Sequence, residues 1–267
     1  MKRVCTTIAI AALCVATVRA DVSVTQTITL EGPMAGAMGG SQPTMTTKIK
    51  GNKSRFDMSA GPVNMSSIVD LDARQVIMLN AADKTAQIIN VTPTAGATPN
   101  VPASAIDVQF KATGNKRTIA GVSCEDHTFS MAIDMSQVGG AQVPPETAKM
   151  MEGVKMVANG VTCVAKEGKG VAEFVAFQKS AAQSGIAAMG GPAGGGMDKL
   201  MAAATSAPGL PYLTEMTMTF EGTGPMVDMM KQMGGMKMVQ TTTAVSTDAL
   251  AEDLFKAPAD YKITEKK

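Results

Sequence analysis

The chain has 267 residues, with 24 Lys and Arg against 23 Asp and Glu, a near-neutral balance that gives no basic face for nucleic acid. It holds no Trp, two Tyr and seven Phe but 23 Met, so its core has to be filled by Met, Val, Ile, Leu and Ala, which pack adaptably. After residue 20 no run reaches the roughly 18 uncharged apolar residues that a membrane-spanning helix needs.

Residues 1–20 read as a secretory signal peptide. Lys2-Arg3 is the basic start, Ile8 to Val18 the apolar stretch and Val18-Arg19-Ala20 the cleavage text, which places the cut before Asp21. Cys14 follows Leu13, where a lipoprotein signal wants a small residue, so cleavage is expected rather than lipidation. The expected location is the periplasm, with secretion or envelope association as variants of the same export. Cleavage removes Lys2, Arg3 and Arg19 from the 24 basic residues, leaving 21 against 23 acidic. It also removes Cys5 and Cys14. The remaining pair, Cys124 and Cys163, reads as one disulfide in an exported chain. Such a bridge closes a loop of about 40 residues and contributes about 4 kcal/mol on a chain-entropy estimate.

Val22, Val24, Ile28 and Leu30 alternate with Ser23, Thr25, Thr27 and Thr29, the pattern of a half-buried antiparallel strand. Residues 33–43, rich in Gly and Ala, form a loop. Residues 44–50 and 54–58 flank Gly51-Asn52 as a hairpin, and residues 67–70, 75–79 and 84–91 follow as three short strands of a meander. Pro93, Pro99 and Pro102 mark a long loop. Strand character returns at 106–111 and 117–119 and continues through Val122 to Met131. Pro144-Pro145-Glu146 then predicts a helix carrying Ala148, Met151, Val154 and Ala158 at helical spacing, with Gly153 a weak point. A short strand over 160–165 holds Cys163. Residues 171–188 predict a helix with Phe174, Phe177, Ala181 and Ala188 inward, and residues 197–204 a third helix. Strands at 212–220 and 236–245 bracket a short helix opened by Pro225 and stopped by Gly234-Gly235. A final helix is expected from Thr247 or Asp248 to Pro258, with Leu250, Leu254 and Phe255 inward. The order is that of an α+β fold with an antiparallel sheet covered on one face, and residues 21–267 read as a single domain.

Few residues are arranged for chemistry. Redox work would need a Cys-x-x-Cys pair or an activating cation beside a cysteine, and neither occurs. His127, the one histidine, lies three residues after Cys124. Positions 124 and 127 of a strand point to opposite faces, and the second close ligand pair of a zinc site is missing, so no metal is expected there. There is no Gly-x-Ser-x-Gly elbow, Walker motif or dinucleotide fingerprint, so no cofactor is expected and nothing argues for an enzyme. Met226, Met229, Met230 and Met233 recur at i, i+3, i+4 and i+7, with Met216, Met218, Met236 and Met238 close by. That spacing lets a helix bury one face, and thioethers also suit Cu(I), so packing, an adaptable apolar surface and copper handling are the readings of this cluster.

Several pieces together resemble a known group. The runs at residues 51–58, 68–72, 78–80 and 84–85, with Ile119-Ala120-Gly121-Val122-Ser123-Cys124, Gly209-Leu210-Pro211 and residues 254–261, resemble an uncharacterised exported bacterial family, domain of unknown function 4412. More broadly they resemble the lipoprotein-carrier-like superfamily of the periplasmic carrier LolA and the receptor LolB. The resemblance implies a curved antiparallel β-sheet, an incomplete barrel, with helices packed in the concave face, where carrier members hold acyl chains. The expectation is a non-enzymatic exported protein whose Met-rich cleft, with Met226, Met229, Met230 and Met233 as candidate lining, binds a hydrophobic ligand such as a lipid or acyl chain. The alternatives are copper handling through clustered Met and a structural module of the envelope with no small ligand.

Overall fold

The computed structural model describes residues 21–32, 42–61, 63–91, 106–135, 151–184, 186, 207–232 and 234–266. The alternating segments become strands β1 (Val22–Glu31), β2 (Thr44–Lys50), β3 (Lys53–Ala60), β4 (Val63–Asp70), β5 (Gln75–Asn80) and β6 (Thr85–Asn90). They continue as β7 (Ile106–Ile119), β8 (Val122–Asp134), β9 (Lys155–Ala165), β10 (Leu210–Glu221), β11 (Met236–Ser246) and β12 (Lys262–Lys266). Two helices are described, α1 (Val171–Ser184) and α2 (Pro225–Gln232), with a 3₁₀ turn at Glu252–Phe255.

All twelve strands lie in one large open sheet, in the order β12-β6-β5-β4-β3-β2-β1-β11-β10-β9-β8-β7. Two meanders, β1 to β6 and β7 to β11, are joined where β11 returns beside β1, from Ser23↔Ser246 to Glu31↔Lys237. Every pairing is antiparallel except β12 with β6, which is parallel. The β7–β8 hairpin turns on two residues, Ala120 and Gly121, with φ of 51° and 79°. Positive φ at both positions is the type I′ geometry, whose twist matches that of the flanking strands. Glycine adopts it freely and Ala120 does not.

Four apolar clusters hold the sheet, the smallest around Ile133 with Val108, Met131, Met135 and Met156. The first joins Val22, Val24, Ile49, Cys124, Cys163 and Leu210. The second gathers Ile68, Ile77, Leu79 and Ala86 under Phe255. The third gathers Leu71, Val76, Val91, Ala181 and Ile186. Helix α1 buries Val171 and Ala181, and its Phe177 packs on both the first and third clusters.

Four expectations are corrected. The helix expected from Pro144 does not run through Val154 and Ala158: residues 151–153 form a turn and β9 begins at Lys155, while residues 144–150 lie outside the described residues. Long-range pairing overrides the helical spacing, because Ala158 is held between Met131 of β8 and Met218 of β10. The final helix is reduced to the 3₁₀ turn. Leu250 donates its backbone N–H to the Asp21 carboxylate (2.6 Å) and accepts from Lys50 Nζ (2.9 Å) through its carbonyl, contacts that tie this segment to the start of β1 and the end of β2. Leu250, Leu254 and Phe255 still pack inward. Strand β12 had no counterpart in the sequence reading, and its parallel pairing departs from a wholly antiparallel sheet. Helix α2 spans the expected residues, but Val227 is its fully buried side chain and Met229 is 51% exposed. The side chains of Met226 and Met230, the whole of Met233, residues 1–20 and the expected helix at 197–204 lie outside the described residues.

Candidate functional site

Cross-strand register builds a continuous row across five strands. Phe110 of β7 pairs with Phe129 of β8, Phe129 with Gly160 of β9, Gly160 with Met216 of β10, and Met216 with Met238 of β11. Residues two places along a strand share a face. The row on one side is therefore Val108–Met131–Ala158–Met218–Met236, and on the other Ala112–His127–Thr162–Thr214–Gln240. One face of this half of the sheet thus carries two apolar rows bordered by a polar one.

A cleft of about 380 Å³ lies over these rows, walled by Phe110, Phe129, Met131, Met216 and Met238 and closed at the polar side by Thr162, Thr214 and Gln178 of α1. Its volume falls at the small end of the ~300–1,000 Å³ range of ligand pockets. Gly160 makes the shape possible. A Cβ there would stand 2.5 Å from Phe129 Cζ and closer still to the Glu215 carbonyl oxygen, so only glycine lets the Phe129 ring lie across β9. The Phe110 ring is fixed by stacking on His127, with centroids 5.2 Å apart and planes 21° from parallel. His127 is 3% exposed, and its Nδ1 lies 3.0 Å from the Glu125 carbonyl oxygen, an acceptor, so Nδ1 carries the proton. The histidine singled out by the sequence is thus a buried buttress of the cleft wall.

The opposite face carries an ion-pair group beside residues of the first apolar cluster. Arg117 Nε donates to Asp126 Oδ1 at 2.7 Å and its terminal nitrogen to Glu215 at 3.2 Å. The two cysteines belong to this side of the ladder: Cys124 and Cys163 are joined as a disulfide with Cα atoms 5.3 Å apart. As the strand parity requires, Cys124 and His127 do not meet. Among the described residues no group of three or more His, Cys, Asp or Glu side chains is placed to hold a metal ion. Beyond Val164 a polar hollow of about 660 Å³ is lined by Lys116, Ser123, Glu125 and Lys166. The Lys166 ammonium, 2.6 Å from Glu125, holds that carboxyl below the usual glutamate range. Among the described residues no helix is long and apolar enough to cross a membrane.

Of the candidate lining methionines, Met229 stands outside the cleft, half-exposed on α2. The neighbouring methionines noted with them, Met216 and Met218 of β10 and Met236 and Met238 of β11, face one another in register. Phe110, Phe129, Met131, Thr162, Thr214 and Gln178 were not expected at a site. Their signal is the pairing of β7 to β11, which no local pattern displays.

No curated protein matches the chain. Among solved structures it is similar to an uncharacterized conserved protein from Thermus thermophilus, with 7% identity, a TM-score of 0.41 and coverage of 92% of this chain and 91% of that one. It is also similar to the lipoprotein LppX of Mycobacterium tuberculosis, with 10% identity, a TM-score of 0.27 and coverage of 85% and 89%. Residues 31–139, from the end of β1 past the end of β8, match the model of the family described as domain of unknown function (DUF4412).

Proposed function

We propose that this protein is a binding protein and not an enzyme, and that the cleft over β7 to β11 holds a hydrophobic ligand such as an acyl chain. The observation that carries the reading is the cleft wall: two Phe and three Met side chains from four strands converge on one concavity, and the glycine of a fifth makes the shelf for Phe129. Met and aromatic walls give apolar contact while repacking at low cost around different ligand shapes.

A half-barrel of the lipoprotein-carrier-like kind, with α1 inside its curve, is part of the same proposal. Its support is that α1, 14 residues or about 21 Å long, packs on clusters containing Cys163 of β9 and Val76 of β5. Those strands are seven places apart in the sheet order, about 34 Å if the sheet were flat. Residues 21–267 act as one domain in this reading, since β11 pairs with β1 and β12 with β6. It works outside the cytoplasm, for which the signal-like residues 1–20 and the disulfide are the support.

Titration of purified protein with the uncharged apolar dye N-phenyl-1-naphthylamine tests the proposal. Fluorescence enhancement that saturates, and an affinity at least about tenfold weaker in Met216→Asp because a carboxylate then sits in the apolar wall, are the expected results. No enhancement, or an unchanged affinity in Met216→Asp, refutes it.

A further inference from the structure

The cleft is apolar along two rows and polar along the third, and the polar groups are of one kind. Thr162 and Thr214 hydroxyls lie 3.0 Å apart, so one donates to the other. That leaves the accepting hydroxyl with its own proton to give, and both with free lone pairs. Gln178 of α1 brings an amide that has no hydrogen-bond partner among the described residues. No Lys, Arg, Asp or Glu is among the described lining residues. Two cations of the neighbouring strands are already committed: Lys166 to Glu125 at 2.6 Å, and Arg117 to Asp126 and Glu215 on the other face.

Resting on the apolar-ligand reading above, we propose that the cleft selects a single-chain amphiphile with an uncharged polar head, such as an acyl ester or a long-chain alcohol, over a fatty carboxylate or an alkylammonium. The hydroxyl pair and the amide both donate and accept, as an ester or alcohol head requires. A carboxylate entering the same end would give up its water for two or three neutral donors and no cation, and an ammonium would meet no carboxylate. Burial of a charge without a partner is the costlier of the two exchanges. The cleft volume suits one chain rather than several.

The test is displacement of bound N-phenyl-1-naphthylamine at pH 8 by a set matched in chain length: 1-monododecanoylglycerol, dodecanoate and dodecyltrimethylammonium, all below micelle formation. The expected result is that the glycerol ester displaces the dye at a concentration at least about tenfold below either ion, the cost of one unpaired buried group. The Thr214→Val variant, and independently Gln178→Leu on the helix, should shrink that ratio severalfold. If the dye binds but dodecanoate competes as well as the ester, or if neither variant changes the ratio, the head-group selection is wrong and the apolar site stands. If the dye does not bind at all, both fall together.

Discussion

Gly160→Ala adds one methyl group at the point where the cleft wall is tightest. The new carbon would lie 2.5 Å from Phe129 Cζ and 2.7 Å from Cε1. The ring could swing away, but the Glu215 carbonyl oxygen, nearer still, belongs to the backbone of β10, which is paired with β9 from Leu210 to Glu221. Relief therefore requires moving both a side chain and a central ladder. Overpacking of this kind costs about 1–3 kcal/mol, which in a chain of this size lowers Tm by on the order of 5 °C. The displaced ring also enters the cleft, so dye affinity should fall together with Tm. Circular dichroism melts and dye titration on the same preparation give both readings. If Gly160→Ala melts with the wild type and binds the dye equally well, the shelf argument is wrong.

Other perturbations follow from single contacts. Reduction of the Cys124–Cys163 bridge, which spans 39 residues, should lower stability by about 2–4 kcal/mol in urea denaturation with and without a phosphine reductant. Ala120→Asn should raise stability by about 1 kcal/mol, because asparagine tolerates the positive φ that the type I′ turn imposes, and a higher urea midpoint would show it. Phe255→Ala removes the cap of the second cluster and should cost about 3–5 kcal/mol in the same assay. Asp57 gives a pH signature. Burial pushes its carboxyl up, but hydrogen bonds from Lys48, Ser66 and Arg55 outweigh this and hold it below the ordinary 3.8. Its contribution is therefore complete above that value and is lost as pH falls through the lower folded-state value. Asp57→Asn should be less stable than wild type at pH 7, and the gap should close in melts taken progressively below pH 4.

The strands were legible wherever alternation met a turn signal. Val22 to Leu30, the Gly51-Asn52 hairpin and the three short strands to Val91 needed only local text, and the aromatic face of α1 was visible as Phe174 and Phe177. The disulfide followed from the signal-peptide reading of residues 1–20 and the cysteine number. What escaped was set at long range. Ala158 reads as helical by spacing and becomes a strand residue because Met131 and Met218 flank it. Leu250, expected in a helix, is held instead by Asp21, over two hundred positions away in the chain. The cleft escaped for the same reason: its wall runs from Phe110 to Met238, and no window of sequence contains both. The Met-rich text pointed to methionine, and the methionines of the described cleft wall come from strands.

The methionines also supply the most direct test of the apolar cleft. With ¹³C-methyl methionine labelling and assignment by substitution, the apolar dye should shift the methyl signals of Met131, Met216 and Met238 and leave those of Met229, Met65 and Met78, all exposed and outside the cleft, in place. Shifts at Met229, Met65 or Met78 with none at Met131, Met216 and Met238 would contradict the account.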